Sequence, residues 1–316
     1  RMSTRASTTP AGRERKDHVD GLAVALLLGC CAIWGLGQVA AKVTLSEIPP
    51  LMQAAARSLG AALLLVLWSR SRGLALFRAD GTGRAGLLAG SLFALEFACI
   101  FVGLQYTSAS RMSVFIYFAP FVVALGMPLI ARSERLNRIQ AAGLLLAFGG
   151  VVWAYFEGFV SPTAGPRQWL GDALGLAGAL LWGLTTLTLR GTRLGSALPE
   201  KALLYQLAVS AAALGLASLV AGEPWPAQLT GASLWPLAFQ TVVITFASYL
   251  VWFWLVRHYP ATRISAFTLL TPVFGLLAGV GLLGEPLTLR LGVALVAVCA
   301  GIWLVNRVRP AGQRQR

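Results

Sequence analysis

Apolar residues run along this chain in long blocks, without the recurring polar face that a soluble helix shows. Ten blocks can be marked, at about 20–42, 51–69, 85–105, 110–131, 138–156, 170–189, 199–221, 232–256, 262–282 and 288–307. Each is on the order of 20 residues, the length an α-helix needs to cross the hydrocarbon core of a bilayer. The breaks are short and carry Pro and Gly, as in Pro49-Pro50, Gly81-Thr82-Gly83 and the segments 162–166 and 224–226. They leave no room for a soluble domain. The pattern predicts an all-α membrane protein of ten transmembrane helices, numbered here as spans 1 to 10. A head at 1–18 and a tail at 308–316 lie outside the blocks.

A repeat runs through these blocks. Ser108 to Pro120 reads Ser-Ala-Ser-Arg-Met-Ser-Val-Phe-Ile-Tyr-Phe-Ala-Pro, and Pro260 to Pro272 reads Pro-Ala-Thr-Arg-Ile-Ser-Ala-Phe-Thr-Leu-Leu-Thr-Pro. Five of the thirteen positions are identical: Ala109/Ala261, Arg111/Arg263, Ser113/Ser265, Phe115/Phe267 and Pro120/Pro272. Trp34-Gly35 in span 1 returns as Trp182-Gly183 in span 6. Glu134-Arg135-Leu136 before span 5 is echoed by Glu285-Pro286-Leu287 before span 10. The chain therefore divides into halves at 20–156 and 170–307, five spans each. An odd number of spans turns the second half upside down relative to the first. Inverted repeats of this kind place a substrate site near the midplane, between the halves.

Charge changes the picture by fixing an orientation. With the N-terminus in the cytoplasm, the cytoplasmic segments hold 21 Lys and Arg residues and the opposite side four, namely Lys42, Arg111, Arg167 and Arg290. That bias follows the positive-inside rule and puts both termini in the cytoplasm. The net charge of +14 thus gathers at the ends of spans. It reads as a topology signal and an attraction to lipid headgroups, not as a nucleic-acid surface. Only 12% of the residues are charged and 57% are hydrophobic, against about 25% charged in a soluble domain. Cys30, Cys31, Cys99 and Cys299 all sit inside apolar runs, with no metal-ligand spacing, and read as small core hydrophobes. No metal and no cofactor is expected.

With the Trp-Gly pairs, the Tyr-Thr-Ser-Ala-Ser run at 106–110, the Pro-bearing helices of spans 4 and 9 and the Glu134 and Glu285 segments in hand, the chain resembles the drug/metabolite transporter superfamily. Within it, the chain looks most like the ten-span EamA-type exporters, including the bacterial aromatic amino-acid exporter branch. That resemblance implies a multi-pass protein of the bacterial inner membrane. It also implies spans from both halves around a central cavity, and export of amino acids or related metabolites by alternating access. Lipid is the implied environment, and protons are a candidate coupling ion.

Candidate site residues come from polar and aromatic groups that share a helix face. They are Trp34 and Gln38 in span 1, Ser113 and Tyr117 in span 4, Trp182 and Thr186 in span 6, Thr245, Tyr249 and Trp252 in span 8, and Phe267 and Thr271 in span 9. Rings beside hydrogen-bonding groups suit a small amphipathic solute such as an aromatic amino acid. The competing explanation for each Ser or Thr is close helix packing, and for each ring the filling of a gap or the interface belt. Pro120 and Pro272 interrupt helices and are candidate hinges for gating; a static bend is the plainer account. Two ionisable groups lie deep in spans, Arg57 and Glu96. Insertion of such a charge costs about 2.5–3.5 kcal/mol, so the sequence leaves two readings: a fixed ion pair, or a Glu96 that meets cargo ammonium or a proton.

Other classes of function find less support. The histidines, His18 and His258, lie outside the spans, and no nucleophile–base pair or paired acid motif is present, so an enzyme is not expected. Nothing resembles a phosphate-binding loop that would bring ATP. Filter sequences and rings of charge that would mark a channel are lacking. Cationic drugs and other metabolites remain the alternative cargoes.

Overall fold

The structure is a computed structural model that describes residues 20–130, 138–258, 267, 268 and 270–306. Among these residues all regular structure is helical. The elements are α1 (Gly21–Thr44), α2 (Pro50–Ser71), α3 (Gly83–Gly103), α4 (Ala109–Ile116), α5 (Ala119–Ile130), α6 (Arg138–Val160), α7 (Gln168–Gly191), a short 3-10 turn (Arg193–Ser196) and α8 (Pro199–Val220). Next come α9 (Gly231–Ala238), a π-helical stretch (Phe239–Ser248) that runs straight into α10 (Tyr249–His258), α11 (Leu270–Leu283) and α12 (Leu289–Asn306). Eight helical stretches are long and apolar enough to cross a membrane; α11 and α12 are shorter apolar helices. The start of span 9, with Arg263 and Ser265, the Glu134 segment and both termini fall outside the described residues.

Local chemistry explains where the helices begin. The Asp20 side chain accepts the Ala23 N–H at 2.9 Å, and Ser108 accepts the Arg111 N–H at 3.2 Å. Both satisfy donors that a helix start leaves without partners. Pro50 and Pro199 occupy first-turn positions of α2 and α8, where a missing N–H costs nothing. Span 4 breaks into α4 and α5 at Tyr117–Phe118, just before Pro120. The imide nitrogen cannot donate to the Ile116 carbonyl and the ring crowds it. Two three-residue hydrogen bonds bridge the break, Phe118 N–H to Phe115 and Phe121 N–H to Phe118. Pro272 likewise sits in the first turn of α11, and the Thr271 N–H reaches back to Thr268.

Burial runs opposite to that of a soluble protein. Leu67, Leu129, Leu145, Leu216 and Val220 face outward, whereas Gln53, Ser58, Thr107, Ser110, Asp172, Gln240 and Thr271 are buried. A lipid solvent rewards this arrangement, because backbone and polar side chains must find partners inside the bundle. Gly86 packs against the Tyr205 ring and Gly35 against the backbone at Phe274–Gly275, so α3 meets α8 and α1 meets α11 at distances only glycine permits.

The strongest pairings join the two sequence halves. α1 packs on α11, α2 on α8, α3 on α7 and α8, and α6 on α12, while α7 packs on α4 and α5 and the α9–α10 stretch packs on α1 and α2. Exchanging the halves maps this list onto itself: α1 with α11 becomes α7 with α4 and α5, and α3 with α7 and α8 becomes α9–α10 with α1 and α2.

Candidate functional site

The π-helical stretch is the local feature that shapes the centre. Pro236 removes one helical hydrogen bond from α9, and the wider turns follow within a few residues. There the Thr245 hydroxyl donates to the Gln240 carbonyl, five residues back, at 2.8 Å. π segments are rare and often mark functional positions. This one carries Ser248 to α1, where Trp34 Nε1–H donates to its Oγ at 2.7 Å.

Two groups of rings form around this contact. Trp34 lies edge-on to Trp252, centroids 5.4 Å apart, and 6.4 Å from Tyr249. Tyr117 meets Trp182 edge-on at 5.5 Å. Each pair draws one ring from 20–156 and one from 170–307. Phe267 lies with Trp252, Val251 and Leu26 on the small cluster of Ala23, Leu27 and Leu255, and its carbonyl accepts the Cys31 thiol at 3.2 Å. Tyr117 and Cys31 are neighbours of the buried Thr271 hydroxyl. Gln38, one turn beyond Trp34, has a buried Oε1 without a partner.

Ser113 and Thr186 spend their hydroxyls on their own helices. Ser113 donates to Ala109 of its own helix at 2.9 Å and packs against Gly275. Thr186 donates to Trp182 at 3.0 Å. Ser113 thus lies at a helix crossing. Arg57 and Glu96 are both buried, and no ion pair joins them. The Arg57 guanidinium lies over the Phe97 ring at 3.9 Å and near Phe101 at 5.2 Å. Arg57 and Glu96 each interact electrostatically with Tyr249.

Two charged arrangements escape a reading of the sequence. Arg111, counted there with the loop charges, lies inside α4 and is buried. Its Nη2 meets Asp172 Oδ2 at 2.6 Å and its Nη1 meets Glu157 Oε2 at 2.6 Å. Thr107 and Thr288 add hydrogen bonds to the two acids. The second arrangement is a set of carboxylates that cap helix starts across the halves. Glu223 accepts the Leu51 and Met52 N–H groups of α2 at 3.0 and 2.9 Å. Glu285 accepts those of Ala109 and Ser110 in α4 at 2.7 and 2.8 Å. Glu47 accepts from Thr230 and Ser233 at the start of α9, and these bonds hold its carboxyl below the usual carboxylate range. All three lie at one end of the bundle. At the other end Lys201 pairs with Asp80 at 2.7 Å. That contact and the Thr82 hydroxyl hold the Asp80 carboxyl down at about 2. A sequence signal for two of the caps existed: Gly222-Glu223 and Gly284-Glu285 both follow apolar spans, and both glycines take φ +65°, the turn that ends a helix and throws the next side chain back.

A helical bundle with an apolar exterior and a polar interior is the architecture of a multi-pass membrane protein. The profile of the EamA-like transporter family matches residues 21–156 and again 169–307, and the chain belongs to that family. Its members are transporters, not enzymes. One relative is the "Uncharacterized transporter YvbV" of Bacillus subtilis, 29% identical over 89% of this chain and 91% of its own length. A "Probable amino-acid metabolite efflux pump" of Escherichia coli is 27% identical over 92% of this chain and 94% of its own. A solved protein structure superposes with a TM-score of 0.62 at 17% identity, covering 89% of this chain and 96% of that one, and so shares its fold.

Proposed function

We propose that this protein exports amino acids, aromatic ones included, through a central cavity between two inverted five-helix repeats at 20–156 and 170–307. Alternating access moves the cargo across a bacterial inner membrane, with ten spans and both termini cytoplasmic. The observation that carries this reading is the two ring groups, Trp34 with Tyr249 and Trp252 and Tyr117 with Trp182, in which each of these ring contacts bridges the halves. A group that must change its neighbours when the halves rock belongs at such a seam. The exchange symmetry of the helix pairings supports the repeat, and the efflux pump among the relatives supports the cargo class. Pro120 and Pro272, each in the first turn after a break, supply equivalent hinge positions in the two halves.

The test is counterflow of labelled amino acids in proteoliposomes. Phenylalanine is expected to be carried, and Trp182→Ala or Trp252→Ala to weaken it by about tenfold while sparing threonine, since an aromatic contact is worth roughly 0.5–1.5 kcal/mol beyond burial. Equal losses for phenylalanine and threonine would overturn the aromatic pocket. Absence of amino-acid counterflow would overturn the cargo class.

A further inference from the structure

Among the described residues, Arg57 and Glu96 are the buried charges left with unpartnered atoms. Each is 5% exposed. Arg57 Nε and Nη2 and Glu96 Oε2 are buried without a hydrogen-bond partner. The two donors on Arg57 are no random pair. They form the side-on edge of the guanidinium, two parallel N–H groups spaced to grip both oxygens of one carboxylate.

The chain itself shows that edge in use. Arg111 presents the same Nε and Nη2 to Asp172, at 3.1 Å to Oδ1 and 2.6 Å to Oδ2. Where the fold needs an arginine neutralised, it fills the fork with a carboxylate of its own. At Arg57 it does not, although Glu96 interacts with it electrostatically from the neighbouring helix. The guanidinium carbon instead lies 3.9 Å from the centre of the Phe97 ring. That contact occupies a face of the guanidinium and leaves Nε and Nη2 without partners. Buried donors and acceptors without partners are costly and rare in folded proteins, and three of them in one acid–base pair mark the outline of an absent group.

We infer that this pair is a clamp for a zwitterion: the Arg57 edge takes the carboxylate of an α-amino acid, and Glu96 takes its ammonium. One small molecule with both charged groups on a single carbon satisfies all three orphan atoms and leaves the site neutral. A primary amine, a sugar or a dianion would leave at least one of them empty. Tyr249 interacts with both charges and also lies against Trp34, so the clamp opens onto the ring cluster where an apolar side chain would rest. This inference rests on the export reading given above and names the chemical group that the site reads.

The test uses the full-length protein in proteoliposomes with phenylalanine counterflow. Competitors are phenylalanine, its methyl ester, which lacks the carboxylate, and N-acetylphenylalanine, which lacks the ammonium. Both analogues are expected to compete about tenfold or more weakly than phenylalanine, the scale of a lost charge-assisted hydrogen bond. Arg57→Lys keeps the charge and removes the fork; it should erase the preference over the ester and keep the preference over the N-acetyl compound. Glu96→Gln should do the reverse. Analogues that compete as well as phenylalanine in the parent protein overturn the clamp and leave amino-acid export standing, and that result needs no variant to fold. Variants that keep both preferences overturn it too. A parent protein that carries no amino acid overturns both readings together.

Discussion

Replacing Arg111 by Met tests the reasoning about the buried network. Arg111 is 1% exposed. It donates to Asp172, to Glu157 and, through Nη2 at 2.7 Å, to the Ala154 carbonyl. Methionine fills much of the volume and removes every donor. Asp172 and Glu157 then remain buried, each keeping one threonine hydroxyl as its contact, from Thr107 at 2.6 Å and Thr288 at 2.9 Å. Removing one partner of a buried pair typically costs about 3–5 kcal/mol, because the surviving charge is stranded. Arg111→Met should therefore lower the thermal midpoint of the detergent-solubilised protein by several degrees, read as loss of the monodisperse peak after heating. Adding Asp172→Asn should recover part of the loss, since it removes one stranded charge and keeps an acceptor for Thr107. A midpoint for Arg111→Met equal to that of the parent would refute the claim that this network holds α4, α6 and α7 together.

Three further outcomes follow from the packing and the charged ends. Gly35→Ala would place its Cβ 2.7 Å from the Gly275 nitrogen and the Phe274 Cβ. It should reduce stability by about 1–3 kcal/mol through forced separation of α1 and α11, visible as a lower midpoint in the same heating assay. The Asp80–Lys201 contact belongs to a carboxyl held down at about 2 from its usual 3.8. Its contribution is complete above the unfolded value and is lost only as pH falls through that window, so Asp80→Asn should destabilise equally at pH 6 and pH 8. A pH-dependent difference between those values would refute the assignment. Glu285→Ala strips the start of α4 of three hydrogen bonds. It should cost about 1–2 kcal/mol, as a lost helix cap does, and should raise amide exchange at Ala109 and Ser110.

Much of the helical framework was legible because bilayer thickness dictates block length, and block length is visible in the residues themselves. The Trp-Gly echo was equally informative. It picked out Trp34 and Trp182, and each proves to hold a ring contact with the opposite half. Other features left no such trace. Helical phase placed Ser113 on the same face as Tyr117, but the nearness of Gly275 makes that position a helix crossing. The π stretch shifts the register of Ser248 and Tyr249 in a way that a 3.6-residue period cannot foresee. Arg111 read as a loop charge because its partners, Glu157 and Asp172, are 46 and 61 residues away. Its echo in Arg263 marked the repeat without naming an acid for either.

The carboxylate caps bear on how the halves would move in the proposed alternating access. Glu47, Glu223 and Glu285 each join one half to a helix start in the other, and all three do so at the same end. If each stabilises that closure by about 1 kcal/mol, releasing the three together puts the state open at that end near 1% before cargo acts. A substrate that drives transport must then favour that state by roughly 3 kcal/mol. The proposed clamp is placed to exert such a bias. Arg57 follows Pro50, the first residue of α2, by two turns, and Glu96 precedes Gly103, the last residue of α3, by the same distance. α2 is the helix whose first amides Glu223 holds, so a carboxylate seated on Arg57 acts on the same rigid element as the cap. Cargo recognition and release of that end then become two loads on one helix.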